Sequence, residues 1–193
     1  MFNSLKLLGP VCLAISVSSN PAFAELSADT KCVLGETVML SAGDYQVVIA
    51  PDDGEVMLTM NGIDSTVVTL TEAQFAALPQ YAVATENEHL DGINCYEGPL
   101  GRDIMTVIGA KSEDTVNLTA INDYWVEMPV ALMLEYDVIF ARSVNGEALS
   151  VRDKGPIWVM VPQTDNAELR DPFYSTYMAV SYTHLTLPTI YSV

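Results

Sequence analysis

Apolar and polar positions alternate along residues 55–61, the pattern of a strand with one buried face. Strand-like character also covers 31–40 and 45–50, with turn residues clustered at 42–44 and 51–54. Thr71 followed by Gln74 is a capping-box signature, and it predicts a short helix that carries Phe75 and Leu78 and stops at Pro79. Residues 81–85 read as a strand and 86–91 as a polar loop containing His89. Pro99 suits the first turn of a second helix. Leu100, Ile104, Met105 and Ile108 then recur at helical spacing, and Gly109 ends it.

Downstream, strands dominate. Residues 115–121 and 124–128 read as strands joined through Asn122-Asp123, and a Met128-Pro129 turn leads into a further apolar strand. Residues 138–144 and 148–151 flank Asn145-Gly146, a two-residue hairpin signal because a type I′ turn needs positive φ at both positions. The uninterrupted apolar run 157–161 predicts a central strand. No internal repeat is present. The pattern as a whole predicts a mixed α+β domain, mostly strands with two or three short helices.

The punctuation of 122–162 resembles the C-terminal half of the sulfite-oxidase-like molybdopterin-binding fold. The elements concerned are the Asp123-Tyr124 strand entry, the Met128-Pro129 turn, the Asn145-Gly146-Glu147 hairpin, and the Gly155-Pro156 strand that closes at Pro162. The helix and Leu78-Pro79-Gln80 that follow Thr71, and the element Tyr96-Glu97-Gly98-Pro99-Leu100, extend the resemblance over about 70–178. It implies a mixed β-sheet with a few short helices, a molybdopterin or molybdenum cofactor, and oxidoreductase chemistry in a small exported branch. It also implies a metal-ligating cysteine in the loop after the strand ending near Thr85. Here that loop reads Thr85-Glu86-Asn87-Glu88-His89, without cysteine, and Trp158 stands where the resemblance implies an arginine. Two readings therefore stand side by side. One is an exported pterin-binding redox protein; the other is a non-catalytic module binding a small anionic ligand or a periplasmic protein partner.

Composition narrows the partners. The chain carries 25 acidic and 8 basic residues, a net charge of −17. Such a charge argues against nucleic acid or an anionic membrane surface as partner. A hydrophobic share of 50% places it among folded rather than acidic disordered chains. Residues 1–24 read as a cleaved leader: Lys6, an apolar stretch over 7–17 too short to span a bilayer, and Ala22-Phe23-Ala24 before the cut. That leader predicts a periplasmic or secreted protein with one domain over 25–179. Residues 180–193 carry no acidic side chain and resemble a translated sequencing adapter. They are read as an artefactual tail, with the domain's closing strand missing and His184 without a role; the alternative is a genuine β-rich terminal strand, since Tyr, Thr, Ile and Val favour strands.

The candidate site follows from these points. Cys32 and Cys95 remain after leader removal, and in an oxidising compartment they pair as a disulfide or stay as small buried hydrophobes. Neither is read as a metal ligand, and no metal ligand or catalytic residue is assigned. An anionic cofactor needs cations or polar donors. Arg152 and Lys154 after the hairpin supply charge, with Arg142 on the preceding strand and Arg102 in the first turn of the helix after Pro99 as further candidates. His89, Asn122, Asp123 and Tyr124 supply polar contacts. Trp125 and Trp158 read as core.

Overall fold

The computed structural model describes residues 32–62, 66–152, 154–178 and 181–187. The predicted leader lies outside them. The chain opens with β1 (Val38–Ser41), α1 (Tyr45–Ile49), β2 (Val56–Asn61), β3 (Val67–Thr71) and α2 (Glu72–Ala77). The helix α1 replaces the strand expected over 45–50. Asp44 caps it, its carboxylate accepting from the Gln46 N–H at 3.0 Å. The cap satisfies a donor that a strand would need a neighbour to satisfy. Only Val48 is buried; Tyr45, Val47 and Ile49, which made the segment look strand-like, face solvent. The Thr71–Gln74 box closes as expected in both directions, at 3.2 and 3.0 Å.

Next come β4 (Gln80–Asn87) and β5 (Leu90–Gly98), a long antiparallel hairpin. The polar loop expected over 86–91 is thereby reduced to a tight turn at Glu88 and His89. The Asn87 side-chain amide oxygen (Oδ1) holds it, accepting from the His89 and Leu90 N–H groups at 2.7 and 3.0 Å. At the far end of β5, a Cβ on Gly98 would overlap the Phe140 carbonyl, so this close strand approach requires glycine. The chain then enters α3 (Gly101–Ile108), which Gly109 ends in the left-handed conformation at φ 68°.

The remainder comprises β6 (Thr115–Ala120), β7 (Trp125–Pro129), α4 (Val130–Glu135), β8 (Ile139–Ala141), β9 (Ser143–Val144) and β10 (Glu147–Ala148). It closes with β11 (Trp158–Met160), α5 (Pro172–Ser175) and β12 (Tyr182–Thr186). The segment after Met128-Pro129 is helical, not the apolar strand expected, because Val130 and Met133 bury one face at helical spacing. The Asn145-Gly146 turn forms as predicted, with φ of 53° and 82°.

Two five-stranded sheets, ordered β1-β4-β5-β9-β10 and β3-β2-β12-β6-β7, enclose one main core together with the two-stranded β8–β11 pair. Leu58 and Leu118 from one sheet meet Val83 and Tyr96 from the other, with Phe140 and Trp158 in the same cluster. Residues 157–161 are fully buried, but in a two-stranded pair and not at the centre of a large sheet. Their continuous apolarity reflects packing on both sides of a short strand.

The expectation of a missing closing strand is corrected by β12. It lies inside its sheet, parallel to β2 and antiparallel to β6, with Tyr182 and Leu185 fully buried. Tyr, Thr and Leu suit a pleated, half-buried strand, and the gap between β2 and β6 offers backbone partners on both sides. On the opposite face of β5 from Tyr96, Cys95 forms a disulfide with Cys32 across 63 residues, in a small separate apolar cluster with Ala82 and Ala84. Among the described residues no helix is long and apolar enough to cross a membrane.

Candidate functional site

A cleft of about 510 Å³ opens where the β4–β5 turn, the β6–β7 turn, the segment before β11 and α5 meet. The β4–β5 turn contributes Glu88 and His89; the β6–β7 turn contributes Asn122 and Tyr124. Lys154 stands between them, and Pro172, Ser175 and Thr176 form the remaining wall. Four of the six residues singled out from sequence, His89, Asn122, Tyr124 and Lys154, therefore share one cleft. Asp123 does not line it. That residue sits at the turn tip with φ 63° and donates its N–H to the Ala120 carbonyl at 3.1 Å. Arg152 is exposed and is also absent from the wall.

Buried aromatic rings pack behind Lys154 and His89. The Lys154 ammonium lies 4.6 Å from the centroid of the Trp158 ring and 3.4 Å from the His89 carbonyl, to which it donates. The His89 imidazole packs beside the same indole at 5.9 Å between centroids. Tyr96 meets Trp158 edge-on at 5.6 Å. The indole N–H donates to the Met178 carbonyl at 2.7 Å, which fixes the ring plane. Burial pushes the Tyr96 phenol far above its ordinary value, against the effect of its hydrogen bond with Asn87, so its hydroxyl stays neutral. On the far wall the Tyr124 hydroxyl donates to the Thr176 carbonyl at 3.1 Å, joining the β6–β7 turn to α5.

Other cations lie elsewhere. Arg102 pairs with Asp137 at 2.6 Å, and Arg170 donates to the carbonyls of Gln163 and Thr164 at 3.1 and 2.6 Å. Arg142 lines a different cavity. Lys154 is therefore the lysine or arginine of this wall, with His89 beside it and the Glu88 carboxylate 3.7 Å from the imidazole. One ammonium on an aromatic face attracts an anion; a phosphate dianion would also need donors from ligand-induced closure or from backbone groups.

The residues do not fit thiolate ligation of molybdenum. Cys95 is buried, disulfide-bonded, and on the face of β5 turned away from Tyr96 and Trp158. Among the described residues no three His, Cys, Asp or Glu side chains converge as a metal-binding group. Replacing a soft thiolate with the exposed Glu88 would change the metal preference altogether.

Trp158 lies in the core, as expected from sequence, fully buried with Lys154 and His89 packed against its ring. Sequence reasoning missed the wall from α5. Pro172, Ser175 and Thr176 reach the cleft only through tertiary packing. Trp125, also expected in the core, is 59% exposed on β7, which is an edge strand.

The architecture is the sulfite-oxidase-like α+β fold, built from one mixed and two antiparallel sheets among the described residues and a few short helices. Among solved structures the chain is similar to the sulfane dehydrogenase SoxCD from Paracoccus pantotrophus, with a TM-score of 0.52 at 17% identity. The match covers 75% of this chain and 41% of that one, and at this identity it shows the fold alone. No family model matches the chain, and no curated protein matches it either.

Proposed function

We propose that this chain is an exported, non-catalytic ligand-binding module on the sulfite-oxidase-like fold. Its cleft takes a small anionic ligand of pterin type through Lys154 and His89, without ligating a metal through a cysteine. The disulfide carries this reading: it engages Cys95, the thiol nearest the cleft in sequence, and holds it on the wrong face of β5. Export is supported by the same bond, which persists in oxidising compartments, and by the leader-like pattern of residues 1–24.

The cleft residues divide the work by chemistry. Lys154 supplies the charge, positioned by the Trp158 ring and the His89 carbonyl. Asn122 and Tyr124 offer polar contacts opposite, with Tyr124 tied to Thr176. A fold neighbour named as a dehydrogenase supports a second reading, a cofactor-dependent oxidoreductase.

Protein purified with its disulfide intact from its own periplasm decides between them. Metal analysis should find no stoichiometric molybdenum, and a released pterin should rebind wild type but not Lys154→Ala. Molybdenum at one atom per chain would sink the non-catalytic reading in favour of the oxidoreductase. Failure of any pterin to bind would sink the choice of ligand.

A further inference from the structure

A second cavity, of about 340 Å³, shares no residue with the Lys154 cleft. Val56, Ile121, Leu149 and Val151 line it. Three of these expose apolar surface heavily: Val56 at 50%, Ile121 and Val151 at 58% each. Arg142 lies in the same cavity, half-buried, and its guanidinium has no ion pair or hydrogen bond among the described residues. Arg102 and Arg170, by contrast, are both engaged. A partly desolvated guanidinium without a partner is unfavourable, and a carboxylate matches its fork geometry.

The rim carries the opposite charge. Glu55 and Glu72 line the same cavity, and the pairing of Val56 with Thr71 sets them at the same end of the β2–β3 pair. A plain carboxylate would be repelled by these two, and a plain amine by Arg142. We infer that this cavity binds a small apolar zwitterion, an aliphatic amino acid or dipeptide. Its carboxylate sits on Arg142, its ammonium faces Glu55 and Glu72, and its side chain lies on Val56, Ile121 and Val151. The volume suits a ligand at the small end of the usual pocket range. The inference does not depend on what the Lys154 cleft holds.

Calorimetric titration of the intact protein tests it with four probes. Leucine and leucyl-leucine carry both charges; isocaproate lacks the ammonium and isoamylamine lacks the carboxylate. At least one zwitterion should saturate the protein, and both singly charged analogues should bind about tenfold more weakly or worse. The preference between leucine and the dipeptide then identifies which of the two the cavity takes. Arg142→Gln should lower zwitterion affinity about tenfold, and so should Glu55→Gln combined with Glu72→Gln. The glutamates are exposed, so the double variant stays informative even if Arg142→Gln does not fold. No saturable binding of either zwitterion would overturn the proposal. Equal affinity for the singly charged analogues, or an unchanged affinity in the double variant, would do so as well.

Discussion

The ammonium of Lys154 stands 4.6 Å from the Trp158 ring centroid while the lysine backbone is held at φ 70°, in the left-handed region. The two facts pull in opposite directions. A cation over an indole contributes about 1 kcal/mol at a half-exposed site. A left-handed backbone costs a non-glycine residue a similar amount, about 1–2 kcal/mol.

Two substitutions at this position therefore separate backbone from side chain. Lys154→Ala keeps the strain and loses the ring contact, so it should destabilise the protein by about 1 kcal/mol. Lys154→Gly loses both and should stay within about 0.5 kcal/mol of wild type. Denaturant melts measure the difference. If the cleft binds an anion as proposed, both variants lose that binding to the same degree although their stabilities differ.

The Cys32–Cys95 bond closes a long loop, its ends separated by 63 positions in sequence. Loop-closure entropy assigns such a cross-link about 4 kcal/mol of stability, through the unfolded chain. Replacing both cysteines by alanine should lower unfolding free energy by about that amount, and reductant should do the same to wild type. The Lys154 cleft lies on the other face of β5, so ligand affinity measured on still-folded variant should not change. A large loss of affinity there would mean that the two faces are coupled.

Two carboxylates should respond to pH with opposite signs. Asp52 accepts from the Thr71 hydroxyl and, at 3.2 Å, from the Gly54 N–H; these bonds hold its pKa below the ordinary carboxylate value. Its contribution is present above the unfolded pKa and is lost as pH falls through the lowered folded value. Asp103 is shifted upward, chiefly by burial and despite the nearby Arg102. The native state holds that proton to higher pH than the unfolded chain does, so stability is lost as pH rises through the raised value. Asp52→Asn should thus destabilise at neutral pH and Asp103→Asn should stabilise. Both differences should fade in acid, below the unfolded carboxylate range. Denaturation at several pH values between about 3 and about 7 reads both. The same sign in both variants would contradict the assignment.

What the sequence disclosed is mostly punctuation. Thr71 with Gln74, Gly109, and Asn145-Gly146 each have a local physical requirement, and each does in the structure what that requirement dictates. The helix at 45–49 escaped because its apolar side chains face solvent, so their pattern records no buried face. Helix α4 was hidden by its brevity, since six residues hold too few turns for a period to show. At the candidate site, His89, Asn122, Tyr124 and Lys154 stood out as polar residues in turns. The wall from α5 did not, because its place depends on which distant segments pack together.

The slot filled by β12 makes the last prediction. Tyr182 donates its N–H to the Ile157 carbonyl at 3.1 Å and Leu187 to the Asn61 carbonyl at 2.9 Å, anchoring both ends of the strand. Ending the chain after Met178 would leave β2 and β6 with open backbone edges facing each other across the missing strand. Unpaired, buried backbone groups are costly, and exposed inner edges invite aggregation. The truncated chain should lose its cooperative unfolding transition and sediment as aggregate. Backbone pairing does not depend on side-chain identity, and the buried apolar demand falls at Tyr182, Leu185 and Leu187, with the Tyr182 hydroxyl also donating to the Tyr177 carbonyl at 3.3 Å. A different terminal strand with apolar residues in that register should therefore restore cooperative melting, and one shifted by a single residue should not. Restoration by both, or by neither, would show that β12 holds the sheet by something other than register and burial.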